Sequence, residues 1–567
     1  MKTIYQLAQE MGLMMDEIIP YGHYVGKIDH KKVLERLKDK PNGKYINITA
    51  ITPTPLGEGK TTTLIGLVQG LGKIGEKVIG CIRQPSAGPT FNIKGSAGGG
   101  GLSQIIPLDK FSLGLTGDIN AVMNAHNLAM VALTSRMQHE ANYSDEVLSR
   151  KGLRRLNIDP RKVEMGWVID FAAQSLRHII IGLGGKNDGY LMESKFWIAT
   201  ASEIMAILAV SKNLKDLRER IGKIVVAFDK YGNPITTEDL EVAGAMTAWL
   251  VDAINPNLVQ TLEGQPIIVH AGPFANIAIG QNSIIADYIA LKLADYVITE
   301  SGFAADIGFE KFWNIKCRIS GLIPNVSVIV ATVRGLKYHG GAPNIKPGQP
   351  IPKEYFEENL EWVERGFENL LHHINIIKKS GVIPVVCINK FESDSENEIK
   401  LIQKLCKEIG VRVAISEHWS KGGEGAIELA EAVLDACKEN VNFKFLYELN
   451  EPVKTKIEKI AKEIYGANNV EYSPQSEEKI KIIESDDELR NLPICIAKTH
   501  LSISDDPNKK GVPKNWNLKV RDILIFRGAG LLVPVAGEIS LMPGTASDPA
   551  YRRIDVDVET GEIKGLI

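Results

Sequence analysis

The 567-residue sequence predicts an α/β protein, with a doubly wound, mostly parallel sheet and additional smaller α/β domains. Three observations carry that reading. Short apolar runs recur at 45–50, 78–82, 266–270, 296–299, 326–333, 383–389 and 411–416, and unbroken apolarity is what a strand covered on both faces requires. Helical periodicity fills many of the intervals, as at 61–71, 359–379 and 396–410. Glycine and polar clusters follow the strands, where ligands gather in open parallel sheets.

Taken in order, residues 1–40 read as helix, with a turn at Pro20-Tyr21-Gly22 and a charged helix at 31–40 stopped by Pro41-Asn42-Gly43. A strand at 45–50, a Gly-rich turn and a helix at 61–71 then open the parallel sheet. Two stretches interrupt the alternation. Residues 127–213 are long and polar and are expected to be a helical insertion. From 443 to about 505 the charge pattern is helical, and 521–567 look like short strands with Gly-Pro turns. The expected units are a large nucleotide-binding domain at 1–345, a second α/β domain at 346–445 and a C-terminal α+β domain at 446–567.

Composition excludes several classes. Lys and Arg number 66 against 69 Asp and Glu, and the mixed signs give a net charge of −3, which argues against a broad nucleic-acid-binding face. The first helix carries Glu10, Asp16 and Glu17 and lacks the apolar centre of a signal peptide, and no apolar run is long enough to span a membrane. Six scattered cysteines, without a C-x-x-C pair, read as reduced thiols of a cytoplasmic protein.

The strongest local signal is Thr54-Pro55-Leu56-Gly57-Glu58-Gly59-Lys60-Thr61-Thr62, between the first strand and its helix. The glycines turn backbone N–H groups toward an anion, the helix start adds a positive dipole end, and Lys60 brings a charge to the terminal phosphates. Thr61 or Thr62 offers a hydroxyl to Mg²⁺. The pattern G-x-x-x-x-G-K-[ST] is broken at its first glycine, where Thr54 stands, but the strand and helix context predicts a P-loop NTPase-type fold. After the second strand, residues 83–101 hold Arg83, Lys94 and a run of glycines at 98–101. Read blandly this is a linker; its place after a strand and Arg83 favours an anion-accepting wall.

These segments resemble the formate–tetrahydrofolate ligase family. The matches are TPLGEGKTT at 54–62, RQPSAGPTF at 83–91, LTGDI at 115–119, ASEIMA at 201–206, PNLVQTLEG at 256–264, VHAGPFANIA at 269–278 and LKLADYVITE at 291–300. They continue with VATVRGLKYHGG at 330–341, INKFESDSE at 388–396, HWSKGGEGA at 418–426 and LPICIAKTHLS at 492–502. The resemblance spans almost the whole chain. It implies ligation of formate to tetrahydrofolate with ATP, through formyl phosphate, giving 10-formyl-tetrahydrofolate, ADP and phosphate. It further implies that Lys60 and Thr61 hold the phosphates and Mg²⁺, that Arg83 holds formyl phosphate, and that Phe391 and Trp419 flank the pterin. A homotetramer and stimulation by a monovalent cation are also implied.

The chain departs from that family's usual pattern where Gly114, Asn120 and Ile279 stand in place of histidine, where Trp197 replaces an aspartate, and at Asp170–Ser175 and the 92–102 loop. Imidazole is the natural proton acceptor for an attacking amine near neutral pH. Either His126, His270 or solvent covers that role, or the chain is a diverged paralogue with another amine or pterin acceptor, or a nucleotide-binding regulatory protein without turnover.

Overall fold

The computed structural model describes residues 1–87, 97–346 and 349–566. Seven parallel strands form its centre: β1 (Lys44–Ala50), β2 (Val78–Ile82), β3 (Pro266–Val269), β4 (Tyr296–Glu300), β5 (Val326–Ala331), β6 (Ile383–Asn389) and β7 (Arg412–Ser416). Their spatial order is β3-β2-β4-β1-β5-β6-β7. The order reverses at β1, from which the chain first moves toward β2 and later crosses to β5. The carboxyl ends of β4, β1 and β5 therefore frame a crevice directly above the Gly-rich turn.

Beyond β3 the sheet turns antiparallel, through Asn257–Thr261, Gly26–Ile28 and Ile18–Pro20, with Ser103–Ile106 also joined to Asn257–Thr261. This corrects the helical reading of residues 1–40. The two helices there, Ile4–Met11 and His30–Arg36, are separated by a hairpin that Pro20-Tyr21-Gly22 helps to turn. The 127–213 stretch also differs from its reading. It begins on the helix Asp118–Asn142 but then carries the strands Ile158–Val163, Trp167–Ile169, Ile179–Ile181, Met192–Ser194 and Phe196–Ile198, rich in β-branched and aromatic residues. Strands β6 and β7 pair into the same sheet as β1, so the ladder runs across residue 345. Near the C-terminus, Asn517–Phe526 and Leu531–Ala536 form an antiparallel pair with Asn469–Tyr472 alongside.

Helix α1 (Lys60–Lys73) is buried continuously from Thr63 to Leu71. Its sheet face carries Leu64, Ile65, Leu67, Val68 and Leu71, and its other side is covered by the segment after β7. Glycine makes that approach possible. A methyl at Gly66 would overlap the His418 side chain, and one at Gly70 would lie 2.9 Å from Ala426 O. A helical glycine costs about 1 kcal/mol relative to alanine, and here it lets residues 418–426 lie directly on the helix. The helix thus positions the Gly-rich turn at its start and Trp419 along its flank.

Candidate functional site

The Gly-rich turn at 54–62 is held in shape by its own residues. Thr54 is buried; its N–H and hydroxyl donate to the Glu58 carboxylate at 3.2 and 2.9 Å, and the Leu56 N–H donates back to Thr54 Oγ1 at 3.3 Å. Thr54 therefore does closing work that a glycine could not. Gly57 and Gly59 adopt φ of +73° and +78°, the left-handed region, and Gly59 stands where an N-cap side chain would otherwise sit. Pro55 is half-buried, and Leu56 packs toward Ile345 and Tyr355. Lys60 and Thr61 open α1, and Thr62 follows them, half-buried.

The root of the turn is held more tightly still. The Thr52 N–H donates to Asn369 Oδ1 at 3.1 Å, Asn369 Nδ2 donates to Thr52 Oγ1 at 2.9 Å, and His339 Nε2 donates to the Thr52 carbonyl at 2.8 Å. His373 Nε2 completes the set, 2.9 Å from Thr52 Oγ1. Asn369 and His339 also bind the backbone of Gly511, so the C-terminal segment is keyed to the same point.

Across the crevice, the Thr61 hydroxyl lies 3.0 and 2.9 Å from the two oxygens of Glu300, the last residue of β4. The sequence reading missed Glu300. Its signal was an apolar strand, Tyr-Val-Ile-Thr, ending in an acid, and what made it informative was the placement of β4 beside β1. Arg83 follows β2 and is half-buried. Loss of hydration pulls its guanidinium below the ordinary arginine range, and the field of Glu300 opposes that shift. A methyl at Gly302, two residues beyond Glu300, would overlap Ala275 Cβ at 2.5 Å, so glycine lets the segment after β4 pack against Ala275. Lys60, Thr61, Arg83 and Glu300 thus meet at three neighbouring strand ends.

Asp170 accepts the Ala87 N–H at 2.9 Å and anchors the turn that begins at Arg83; burial raises its carboxyl to about 6. Lys94 and Gly95 of the expected cationic wall lie outside the described residues. The glycines that follow them have another task. Gly99–Gly100 pairs with Ser103-Gln104, and a methyl at Gly101 would overlap the Trp419 backbone carbonyl and come within 2.8 Å of its indole. The Leu102 N–H donates to Trp419 O at 2.8 Å. This glycine run is a seat for Trp419, a residue that is 59% exposed.

Phe391 is reached from β6 and is half-buried. Its N–H donates to Asp394 Oδ2 at 2.8 Å, and the Arg334 guanidinium lies over its ring, 4.0 Å from the centroid. Burial raises the Asp394 carboxyl to about 6, while the Phe391 N–H and Arg334 oppose the shift. Asn389, two residues before it, donates from Nδ2 to the Glu58 carbonyl at 3.0 Å, tying the end of β6 to the Gly-rich turn. The Lys390 N–H donates to Ser416 O at 3.0 Å, joining the two aromatic-bearing strand ends.

The three positions lacking histidine have different surroundings. Ile279 is core, Asn120 is exposed on the outer side of its helix, and Gly114 has φ +97° with open space around it. His126 and His270 do not replace them. Burial lowers them to about 4 and about 3, and both nitrogens of each ring are hydrogen-bonded, to Ser202 and Gly166 in one case and to Ser283 and Ala253 in the other.

No described helix is long and apolar enough to cross a membrane, and all six cysteines are buried thiols. Among the described residues no three His, Cys, Asp or Glu side chains form a metal-binding group.

A family model for formate–tetrahydrofolate ligase matches residues 1–567. The chain is 66% identical to a formate–tetrahydrofolate ligase of Thermodesulfovibrio yellowstonii, covering 100% of this chain and 97% of that protein. It is 64% identical to one of Desulforapulum autotrophicum, over 100% and 96%, and 63% identical to one of Desulfotalea psychrophila, over 98% and 100%. With the match running from end to end, the chain belongs to the formate–tetrahydrofolate ligase family.

Proposed function

We propose that this ligase joins formate to tetrahydrofolate with cleavage of ATP, along the neighbouring carboxyl ends of β2, β4 and β1. The observation that carries the reading is the meeting of Thr61 with Glu300 beside Arg83, at the mouth of a turn shaped for phosphate. In this reading residues 54–62 wrap the triphosphate, with backbone N–H groups and Lys60 neutralising the charge that spreads in phosphoryl transfer. A formate oxygen bonds to the γ-phosphorus as the bond to ADP breaks, and Arg83 holds the formyl phosphate. The folate amine then bonds to the formyl carbon, the carbon–oxygen bond to phosphate breaks, and the amine proton passes to solvent.

Thr61 and Glu300 offer the oxygen donors that would hold Mg²⁺, and the ion would supply positive charge to offset that of the phosphates. Phe391 and Trp419 offer aromatic faces to the pterin. The strand order and the turn after β1 support a P-loop NTPase-type, doubly wound sheet. The divisions at 345 and 445, a cytoplasmic homotetramer and stimulation by a monovalent cation rest on the sequence and the family likeness.

The test is direct. With formate, Mg-ATP and tetrahydrofolate, the protein forms 10-formyl-tetrahydrofolate, read by the absorbance that develops on acidification. Formate-dependent positional isotope exchange in ATP occurs as well. Exchange without folate product would point to another acceptor; neither signal from folded protein would overturn the reading.

A further inference from the structure

Arg334 has no part in the mechanism above, yet its surroundings are unusual. It is the second residue of the helix Val333–His339, directly after the carboxyl end of β5, where Thr332 caps the helix through the Gly335 N–H at 2.9 Å. Its side chain is half-buried, and its Nε is buried without a hydrogen-bond partner. Among the described residues no carboxylate lies within ion-pair distance of it; Asp394 and Glu58 act on it only through their fields, and loss of hydration pulls the guanidinium's pKa down. A guanidinium taken out of water without a paired carboxylate is costly, so a compensating contact is expected. The contact present is the face of Phe391, 4.0 Å away. Planar guanidinium stacking on an aromatic ring is a favourable use of that side chain.

The consequence concerns which face of Phe391 a ligand can meet. With Arg334 over one face, a planar heterocycle can stack on Phe391 only from the other. The backbone at Phe391 is fixed independently by Asp394, whose negative charge also draws on Arg334. We infer that Arg334 is a positioning residue for the folate site: it backs the Phe391 ring so that the opposite face is presented to the pterin. The inference rests on the reading of Phe391 given above. The cation also strengthens the stack from behind, because it draws on the electron density of the ring and leaves the open face better matched to an electron-rich pterin. The hydrogen bonds that close the phosphate turn, from Thr54, Glu58, Asn389 and the Thr52 contacts, do not involve Arg334, so its loss is expected to spare the phosphates.

Four proteins decide the matter: Arg334→Ala, Arg334→Lys, Phe391→Ala and the Arg334→Ala/Phe391→Ala double variant, each shown to be folded by circular dichroism and thermal melting. Steady-state kinetics and anaerobic calorimetry with tetrahydrofolate are the measurements. Arg334→Ala is expected to raise KM and Kd for tetrahydrofolate about fivefold, with KM for ATP and the isotope exchange in ATP within twofold of the parent. Arg334→Lys, which keeps a cation over the ring, recovers part of the loss. In the double variant the Arg334 change adds nothing to Phe391→Ala. If Phe391→Ala weakens tetrahydrofolate binding and Arg334→Ala does not, the inference is overturned while the reading of Phe391 stands. If KM for ATP moves instead, or the two changes add, Arg334 serves the phosphates or the fold and the inference is likewise overturned. If Phe391→Ala leaves tetrahydrofolate binding unchanged, the reading of Phe391 fails and takes the inference with it.

Discussion

The phosphate turn and the Trp419 platform lie along the carboxyl edge of one sheet and are built in opposite ways. The turn is short in sequence, and its shape is held by hydrogen bonds made within it and from buried helices. The indole of Trp419 is mostly in solvent, and its position comes from Gly100, Gly101 and helix α1, brought together from distant parts of the chain. An anion site needs donors held at fixed angles, which a closed hydrogen-bonded turn supplies. A stacking site needs an open face, which requires an exposed ring held from behind.

The contrast can be broken at either end. The largest effect is expected from Lys60→Ala, which removes the charge at the turn and should lower kcat/KM about 10³-fold, while calorimetric binding of tetrahydrofolate is unchanged. Trp419→Ala should do the reverse. Kd for tetrahydrofolate rises about tenfold or more with the loss of one stacking face, and formate-dependent isotope exchange in ATP persists. Asn389→Ala removes the tie between β6 and the Glu58 carbonyl and so tests how separate the two regions are. KM values for both ATP and tetrahydrofolate are expected to rise by roughly two- to fivefold, the scale of one hydrogen bond; a change in only one would show that the regions are independent.

The smallest effect on turnover is expected at Glu203, away from the crevice, where a buried carboxylate accepts the N–H groups of Gly528 and Ala529 at 2.8 and 3.2 Å. Burial raises it from 4.5 to about 7. The folded state therefore holds a proton that the unfolded chain has lost between those values, and stability falls as pH rises through that window. Glu203→Gln keeps one acceptor and removes the titration. Its unfolding free energy, read from denaturant melts, should decline less than that of the parent between pH 5 and 7.5, a difference of at most about 3 kcal/mol, with kcat unchanged.

Much of this was legible in the sequence. The apolar runs marked all seven parallel strands, and the Gly-Lys-Thr turn marked its own place after the first. Residues 1–40 were misread because a three-residue strand is too short to show a period, and Ile18–Pro20 and Gly26–Ile28 become strands only by pairing with each other and with Asn257–Thr261. The glycine run at 98–101 was read as a wall of the anion site. Its function as a seat for Trp419 depends on a residue more than three hundred positions away.

What the sequence determined by itself was local chemistry: which segments are apolar enough to be strands, where a backbone turn favours an anion, and, through long ordered motifs, the family. Strand order was left to the tertiary structure. Glu300 meets Thr61 only because β4 lies between β2 and β1, and Arg334 meets Phe391 only because β5 and β6 are neighbours. Spacing along a chain sets the period of side chains within an element. Which elements become adjacent is decided by packing the whole set of apolar faces at once, and it is adjacency that turns separate side chains into a site.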